Sequence, residues 1–424
     1  MIAAEPPTAA GAPQPGAPSL LHHQDFVRLW TGETISQVGS QVSALAIPFV
    51  AIDILRASTF EVALLGVIDF LPFLLIGLPA GVWVDRLRRR PVMIVGDVGR
   101  AIALTTIPIA FLLGALTILQ LYVVGFVVGV LTVFFDVAYQ SYLPSLVARD
   151  QIQEGNAKLE ISRAGAAVVG PGLAGVLVGV LRAPLAVALD ALSFLGSALF
   201  LFLIRRSEPE PDVHREAGKP GPGMRREMAE GLRYVLGHEY LRNIAACTAT
   251  ANLFGNVATS VILVFAVREL GMTAGTIGVA FSIGATGALA GALLANRVST
   301  RLGVGPTIIL FAGVGGLALL PLALAPAGTS IPVLVALAAL SGFVGGFAMV
   351  VYNVAQVSLR QAITLARMQG RMNATMRWFV WGTIPIGGIL GGVLGTLLGV
   401  REALLIGALG ELLAVLPVRS ARCA

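Results

Sequence analysis

Residues 61–90 read EVALLGVIDFLPFLLIGLPAGVWVDRLRRR, and this stretch decides the class of fold. Residues 61–84 form an apolar run with Asp69 as its one deeply placed charge, and the run ends at Asp85 and a cluster of arginines. A helix rises about 1.5 Å per residue, so about 20 apolar residues cross a hydrocarbon core of about 30 Å. The stretch therefore predicts a membrane-spanning helix with a basic end.

Composition extends this prediction to the whole chain. Of its 424 residues, 56% are hydrophobic and 12% are charged, whereas soluble domains carry roughly 25% charged residues. The sequence also lacks the alternating segments of about ten residues that a transmembrane barrel needs. The net charge of +6 does not indicate nucleic-acid binding, because the basic residues lie in short links between apolar runs. We predict an all-α membrane protein.

Twelve apolar runs divide the chain into two sets of six. They lie near residues 30–54, 61–84, 91–114, 119–146, 158–181, 184–204, 243–267, 275–297, 305–326, 331–357, 374–398 and 402–418. The predicted units are a disordered cytoplasmic tail (1–24), a six-helix bundle (25–206), a cytoplasmic linker (207–240), a second six-helix bundle (241–419) and a short tail (420–424).

The linker contains MRREMAEGLRYVLGHEY, residues 224–240, which places Met228, Leu232, Val235 and Leu236 on one helical face and charges on the other. Such a helix either lies in the cytoplasmic membrane interface or packs on the protein's own inner surface. The sequence leaves both alternatives open.

The placement of lysine and arginine predicts the orientation. With the amino terminus inside, the inner segments and the span ends that meet them hold 24 of the 29 basic residues. The outer links hold Arg56, Arg182, Arg268 and Arg401, and Arg100 lies within a span. Because basic residues accumulate on the cytoplasmic side, we expect both termini in the cytoplasm.

The two halves share a weak internal repeat. A shift of 217 positions aligns Asn156 with Asn373 and Gly170 with Gly387. Six spans per half give corresponding spans the same orientation, as in transporters whose two bundles move about a site near the bilayer midplane. The repeat thus predicts two six-helix bundles related by a pseudo-two-fold axis.

The loop Gly81-Val82-Trp83-Val84-Asp85-Arg86-Leu87-Arg88-Arg89-Arg90 resembles the signature loop of the major facilitator superfamily, with Arg88 where that family often has glycine. The resemblance covers residues 25–418. A plain basic anchor would account for the arginines but not for the glycine and the aspartate. In the family this loop latches the outward-open state, so the resemblance implies a cytoplasmic gate. Asp97 and Arg100 lie one helical turn apart near the start of span 3, and we expect them to form a structural ion pair beside this gate. The implied gate residues are Gly81, Asp85, Arg86, Arg89, Arg90, Asp97 and Arg100.

A second segment, Gly170-Pro171-Gly172-Leu173-Ala174-Gly175, resembles the motif of the family's antiporter branch, with Ala174 in place of one glycine. Proline kinks a helix and glycines allow close packing, and packing alone also accounts for such residues. Residues 26–30 and 190–194 resemble an exporter subgroup that includes macrolide efflux proteins and the enterobactin exporter. The resemblance implies a monomeric exporter.

Charges inside the spans are candidate functional groups, because a charge at mid-bilayer costs several kcal/mol. Three carboxyls of the first half, Asp69, Glu33 and Asp136, are candidate proton carriers. Asp69 lies about 12 Å into its span at helical rise, where low dielectric favours the uncharged carboxyl. We therefore rank Asp69 first, with Glu33 or Asp136 sharing the task.

For a substrate cavity the second half offers amide and aromatic side chains that suit a bulky amphipathic solute. They are Asn252, Asn256, Asn353, Gln356, Trp378 and Trp381. Alternatively, the asparagines bond between helices and the tryptophans fill space. The chain has only two cysteines, and its four histidines all lie outside the spans, so we expect no metal site. It has no phosphate-binding glycine loop, and we expect no cofactor.

These features favour a proton-coupled exporter of a drug, macrolide, siderophore or other amphipathic secondary metabolite, acting by alternating access in the cytoplasmic membrane. Its partners would be the small-molecule substrate, protons and the lipid bilayer. An enzyme would require clustered catalytic groups, and the sequence shows no such cluster. An importer or facilitator of the same fold, or a membrane sensor that does not transport, remains as an alternative.

Overall fold

The computed structural model describes residues 20–206, 208, 224–326, 328–365 and 368–420, and within these ranges it contains helices and no strand. The first half contains α1 (Gln24–Phe49), α2 (Thr59–Asp85), α3 (Arg89–Leu112), α4 (Ile118–Leu146), α5 (Ile152–Leu181) and α6 (Ala183–Leu203). The linker contributes α7 (Met224–Gly237). The second half contains α8 (Glu239–Arg268), α9 (Ala274–Leu302), α10 (Val304–Ala323), α11 (Ile331–Ile363), α12 (Gln369–Leu397), α13 (Val400–Leu412) and α14 (Val415–Ser420). The predicted tails lie almost entirely outside the described residues.

Eleven of the described helices, α1–α6 and α8–α12, are long and apolar enough to cross a membrane. The twelfth predicted run, residues 402–418, differs because it is divided between α13 and α14. Proline has no amide hydrogen and its ring clashes with the carbonyl four residues earlier. The chain turns at Leu413 and Ala414, and Pro417 lies in the first turn of α14, where its missing amide hydrogen costs no helical hydrogen bond.

Local sequence explains where the spans begin. At the start of α2, the Ser58 hydroxyl accepts a hydrogen bond from the Glu61 amide, and the Glu61 carboxylate accepts one from the Ser58 amide at 2.6 Å. Thr273 and Thr276 form the same reciprocal cap at the start of α9. These caps satisfy amides that the first turn of a helix leaves unpaired.

The internal repeat is visible in the backbone. Helices α5 and α12 begin at Ile152 and Gln369, which are 217 positions apart. The turns that follow them pass through Arg182 (φ 67°) and Gly399 (φ 117°), again 217 positions apart. Positive φ is uncommon for residues other than glycine. The shared turn at Arg182 therefore supports a common backbone plan for the two halves.

The halves are joined at the end of the molecule that carries few basic residues. Helix α5 crosses α9 so closely that a side chain at Gly278 would overlap the carbonyl of Pro171. The Arg268 guanidinium of the second half donates to the carbonyl of Ala57 in the first. At the arginine-rich end, by contrast, Gly81 has no atom within 4 Å of the position its side chain would occupy.

Helix α7 packs on α12. Gly231 lies against the backbone of Arg371, Val235 is fully buried, and Glu230 forms an ion pair with Arg371 at 3.1 Å. Leu232 and Leu236 are 38% and 45% exposed. The apolar face is therefore divided between a contact with the protein and a surface that a membrane interface could cover, while the side chain of Met228 is outside the described part.

Candidate functional site

A cavity of about 610 Å³ lies inside the second half, among helices α8–α13. Ligand pockets for drug-sized molecules span about 300–1,000 Å³. The predicted residues Asn252, Asn256, Asn353 and Trp381 all line it. Its other polar and aromatic lining residues include Thr248, Ser341, Tyr352, Phe281 and Phe311.

Two of the predicted cavity residues are not among the described lining residues. Gln356 is buried beside the cavity, and its side-chain amide donates to Asn353 Oδ1 at 3.3 Å. It therefore orients a lining residue without lining the space itself. The side chain of Trp378 lies outside the described residues. Trp381 reaches the boundary between the halves, where its ring meets the edge of Phe70 with centroids 6.0 Å apart.

Glu411 also lines this cavity, and our sequence analysis did not single it out. Its carboxyl lies beside α10, where a side chain at Gly315 would overlap Oε1. Among the contacts of the described residues, neither a hydrogen bond nor an ion pair reaches this carboxyl. The signal was present in the sequence, because Glu411 is the one acid in the interior of the last apolar run.

In the first half, Arg100 forms the centre of a buried charge cluster. The guanidinium lies between the rings of Phe135 and Phe194, 4.3 and 4.1 Å from their centroids, and pairs with Asp97. Asp97 and Arg100 lie about 12 and 17 Å along α3 from its first residue, by helical rise. The predicted Asp97–Arg100 ion pair is therefore present and buried in the bundle, and its part in a gate stays a prediction.

Three more carboxyls gather within electrostatic range of Arg100: Glu33, Asp136 and Asp190. Glu33 Oε1 accepts a hydrogen bond from Gln37 at 2.6 Å, while its Oε2 is buried without a partner. Asp190 accepts one from Ser193 at 3.1 Å. Four carboxyls thus share one guanidinium, and ionising all of them would leave costly uncompensated charge in a buried setting.

Asp69 stands apart from this cluster. It is exposed on α2 beside α4, with Oδ1 3.4 Å from the position that a side chain at Gly125 would occupy. Of the three predicted proton carriers, the structure therefore brings Glu33 and Asp136 together and leaves Asp69 alone.

The arginine-rich loop is held by hydrogen bonds to residues at the end of the first half. The backbone amides of Arg89 and Arg90 donate to the carboxylate of Glu208 at 2.8 and 3.2 Å, so this acid caps α3. The Arg90 guanidinium also donates to two carbonyls at the end of α6. Arg86 is exposed, and the side chain of Asp85 is outside the described residues. Sequence analysis missed Glu208 because it lies more than a hundred positions from its partners.

The antiporter-like motif lies on α5 near its crossing with α9. A side chain at Gly175 would overlap the backbone carbonyl of Ala274, and the Gly172 amide donates to the Ser282 hydroxyl at 2.8 Å. The motif residues are Gly170, Pro171, Gly172 and Gly175, of which Gly170 faces α1 instead. Most of this motif therefore joins the two halves.

Comparison with known families and sequences gives a consistent result. The family described as "Transmembrane secretion effector" matches residues 15–423. The multidrug efflux pump Tap of Mycolicibacterium fortuitum is 26% identical over 387 residues, covering 88% of this chain and 90% of that protein. Macrolide efflux protein A of Streptococcus pyogenes is 25% identical over 207 residues, covering 49% of this chain and 50% of that protein.

Solved structures share the fold. A bacterial homologue of the iron transporter ferroportin in the inward-facing state has a TM-score of 0.74 at 17% identity, covering 95% of this chain and 99% of that one. The nucleoside transporter NupG has a TM-score of 0.72 at 12% identity, covering 93% and 98%. At these identities the likeness shows the arrangement of helices.

Proposed function

Because the chain belongs to the transmembrane secretion effectors of the major facilitator superfamily, and is thus a multi-pass membrane transporter rather than an enzyme, we propose that it exports amphipathic small molecules in exchange for protons. The names of its efflux relatives support the outward direction. It would act as a monomer in the cytoplasmic membrane, with both termini in the cytoplasm.

The observation that carries the proton coupling is the cluster around Arg100. The single guanidinium compensates the charge of one carboxylate. The other carboxyls of the cluster would therefore be neutralised by binding protons in this buried setting. We propose Glu33 and Asp136 as the principal carriers, because they share the cluster, and Asp69 as a further carrier near the midplane. A change in the number of bound protons would then favour one conformer over another.

The substrate would occupy the cavity of the second half. Asn252, Asn256 and Asn353 offer adaptable hydrogen bonds, and Trp381 offers an aromatic surface at the boundary with the first half. Protons and substrate would thus bind in different bundles. The close contact of α5 with α9 is where the bundles would separate when the site turns outward.

Export is tested in cells that lack their own pumps, with a panel of macrolides, dyes and other amphipathic compounds. We expect expression of the protein to lower the accumulation of at least one compound, and an uncoupler to abolish that effect. Export that persists unchanged with the uncoupler would contradict proton coupling. Increased accumulation would indicate an importer.

Carrier assignment is tested in proteoliposomes with an imposed pH gradient. Glu33→Gln and Asp136→Asn should each abolish pH-driven flux while retaining exchange of substrate at equal pH, because exchange requires no net proton transfer. Asp69→Asn should reduce the driven flux in part. Asp150→Asn, at an exposed position in the short 3-10 helix before α5, is the matched control and should leave the flux unchanged. Full driven flux in both cluster variants would exclude the proposed carriers.

A further inference from the structure

We infer that Glu411 makes the second-half cavity a binding site for organic cations. This inference rests on the proposed function, because it takes the cavity as the place where the substrate binds, and it adds the charge that the substrate carries.

The charge balance of the cavity supports a cationic ligand. The Glu411 carboxyl has no ion-pair or hydrogen-bond partner among the contacts described. The described residues that line the cavity include no lysine or arginine. An isolated carboxylate in apolar surroundings is costly. A cation that enters the cavity would compensate this charge, whereas a neutral solute would displace the water around the carboxylate and offer no counter-charge.

The packing leaves room for the carboxylate. Gly315 and Gly316 of α10 lie directly against Glu411, and Gly255 of α8 faces it from the other side, with its side-chain position 4.0 Å from Oε2. A larger residue at Gly315 would overlap the carboxylate oxygen. The carboxyl is therefore accommodated by glycines on two helices instead of being covered by side chains.

The remaining lining suits the apolar body of such a cation. Phe281 and Phe311 contribute aromatic surface, and aromatic faces attract organic cations in addition to excluding water. Trp381 also lines the cavity, but the Arg377 guanidinium already lies over its ring, 4.5 Å from the centroid, so this ring contributes apolar surface. The Asn252 and Asn256 side chains lie one turn apart on α8 and supply polar groups. A carboxylate with aromatic walls recognises a lipophilic cation better than a small inorganic ion, which would need more oxygen ligands.

The test uses purified full-length protein in lipid nanodiscs and two probes of similar shape. Tetraphenylphosphonium carries a permanent positive charge, and triphenylphosphine oxide is neutral. Binding of each is measured by titration calorimetry to wild type, Glu411→Gln, Glu411→Asp and Glu402→Gln. Glu402 is exposed at the start of the same helix and does not line the cavity, so its variant is the matched control.

We expect Glu411→Gln to weaken tetraphenylphosphonium binding about tenfold or more, which corresponds to about 1.4 kcal/mol. Binding of triphenylphosphine oxide should remain close to that of wild type, which also shows that the variant is folded. Glu411→Asp should retain most of the cation affinity, and Glu402→Gln should retain all of it. If Glu411→Gln does not fold, the two probes are compared on wild type and Glu411→Asp. Both proteins should then bind tetraphenylphosphonium more tightly than triphenylphosphine oxide.

Equal affinity of Glu411→Gln and wild type for tetraphenylphosphonium would overturn the inference. So would a wild-type protein that binds the neutral probe as well as the cation. Neither result would affect the proposed function, because uncoupler-sensitive export of neutral compounds in the cell assay is measured independently. If the cell assay shows no export although cation binding is intact, the proposed function would be contradicted instead.

Discussion

At the scale of single residues, Arg100 shows how a charge is accommodated inside a membrane protein. Its guanidinium is held between Phe135 and Phe194 and forms an ion pair with Asp97. Cation–π contacts of this kind strengthen when they are desolvated. The pair with Asp97 is predictable because the two residues are three positions apart on one helix, but the aromatic rings come from α4 and α6.

Replacement of Arg100 by alanine should destabilise the protein by about 3–5 kcal/mol, because it leaves buried carboxyls uncompensated. The measurement is SDS-induced unfolding of purified protein in mixed micelles. Arg163→Ala is the control, since Arg163 and its partner Glu160 are exposed, and its effect should stay within about 0.5 kcal/mol.

Adding Asp97→Asn to Arg100→Ala should recover part of the lost stability, because the uncompensated charge is removed together with its partner. A single Arg100→Ala variant as stable as Arg163→Ala would contradict this account of the cluster.

At the scale of elements, the crossing of α5 and α9 depends on glycines on both helices. Gly175 and Gly278 allow direct backbone contact between the two halves at the arginine-poor end. Close approach of backbones through small residues is a general means of packing membrane helices. The antiporter-like motif therefore has a physical role here as a contact that must open if the site is to face the other side.

Gly278→Val should separate the halves at this end. Overpacking costs about 1–3 kcal/mol, so the population open at this end should rise about tenfold or more. The measurement is labelling of Val67→Cys on α2 by a membrane-impermeant maleimide, with Cys247 and Cys423 replaced by serine. Val67 is 8% exposed and faces Gly388 of α12.

Gly179→Val is the matched control on α5, because a side chain at Gly179 meets no atom within 4 Å. It should leave the labelling rate unchanged. Equal labelling rates in the two valine variants would show that the glycine contact does not hold this end closed.

At the scale of the whole molecule, the division of the last apolar run raises the question of how many times the chain crosses the membrane. Helix α13 has 13 residues, which is about 20 Å and short for a hydrocarbon core of about 30 Å. Together α13 and α14 reach across most of this distance. We therefore predict a twelfth crossing despite the turn between them.

Reporter fusions in cells test this prediction. Alkaline phosphatase, which is active only outside the cytoplasm, should be active when fused after Leu398 and inactive when fused after Ala424. Green fluorescent protein after Ala424 should fluoresce. A phosphatase fusion after Arg205 is the inactive control. Activity at both Leu398 and Ala424 would mean that α13 and α14 do not cross.

The sequence by itself determined the properties that depend on local composition. Twelve apolar runs predicted the spans, because a helix in hydrocarbon must be apolar over the thickness of the bilayer, and eleven of the runs are long helices among the described residues. The repeat of 217 positions predicted two corresponding six-helix halves, and the turns at Arg182 and Gly399, which are 217 positions apart, agree with it. The loop and span-5 motifs indicated the family, to which the chain belongs.

Only the tertiary structure decided which side chains meet. Glu33, Asp136 and Asp190 come from three helices, and their shared proximity to Arg100 depends on how these helices rotate and pack. Glu411 has a neighbour in Gly315 that is almost a hundred positions away. Such contacts cannot be derived from periodicity, because a pattern along one helix specifies which face is apolar but not which face of another helix it contacts.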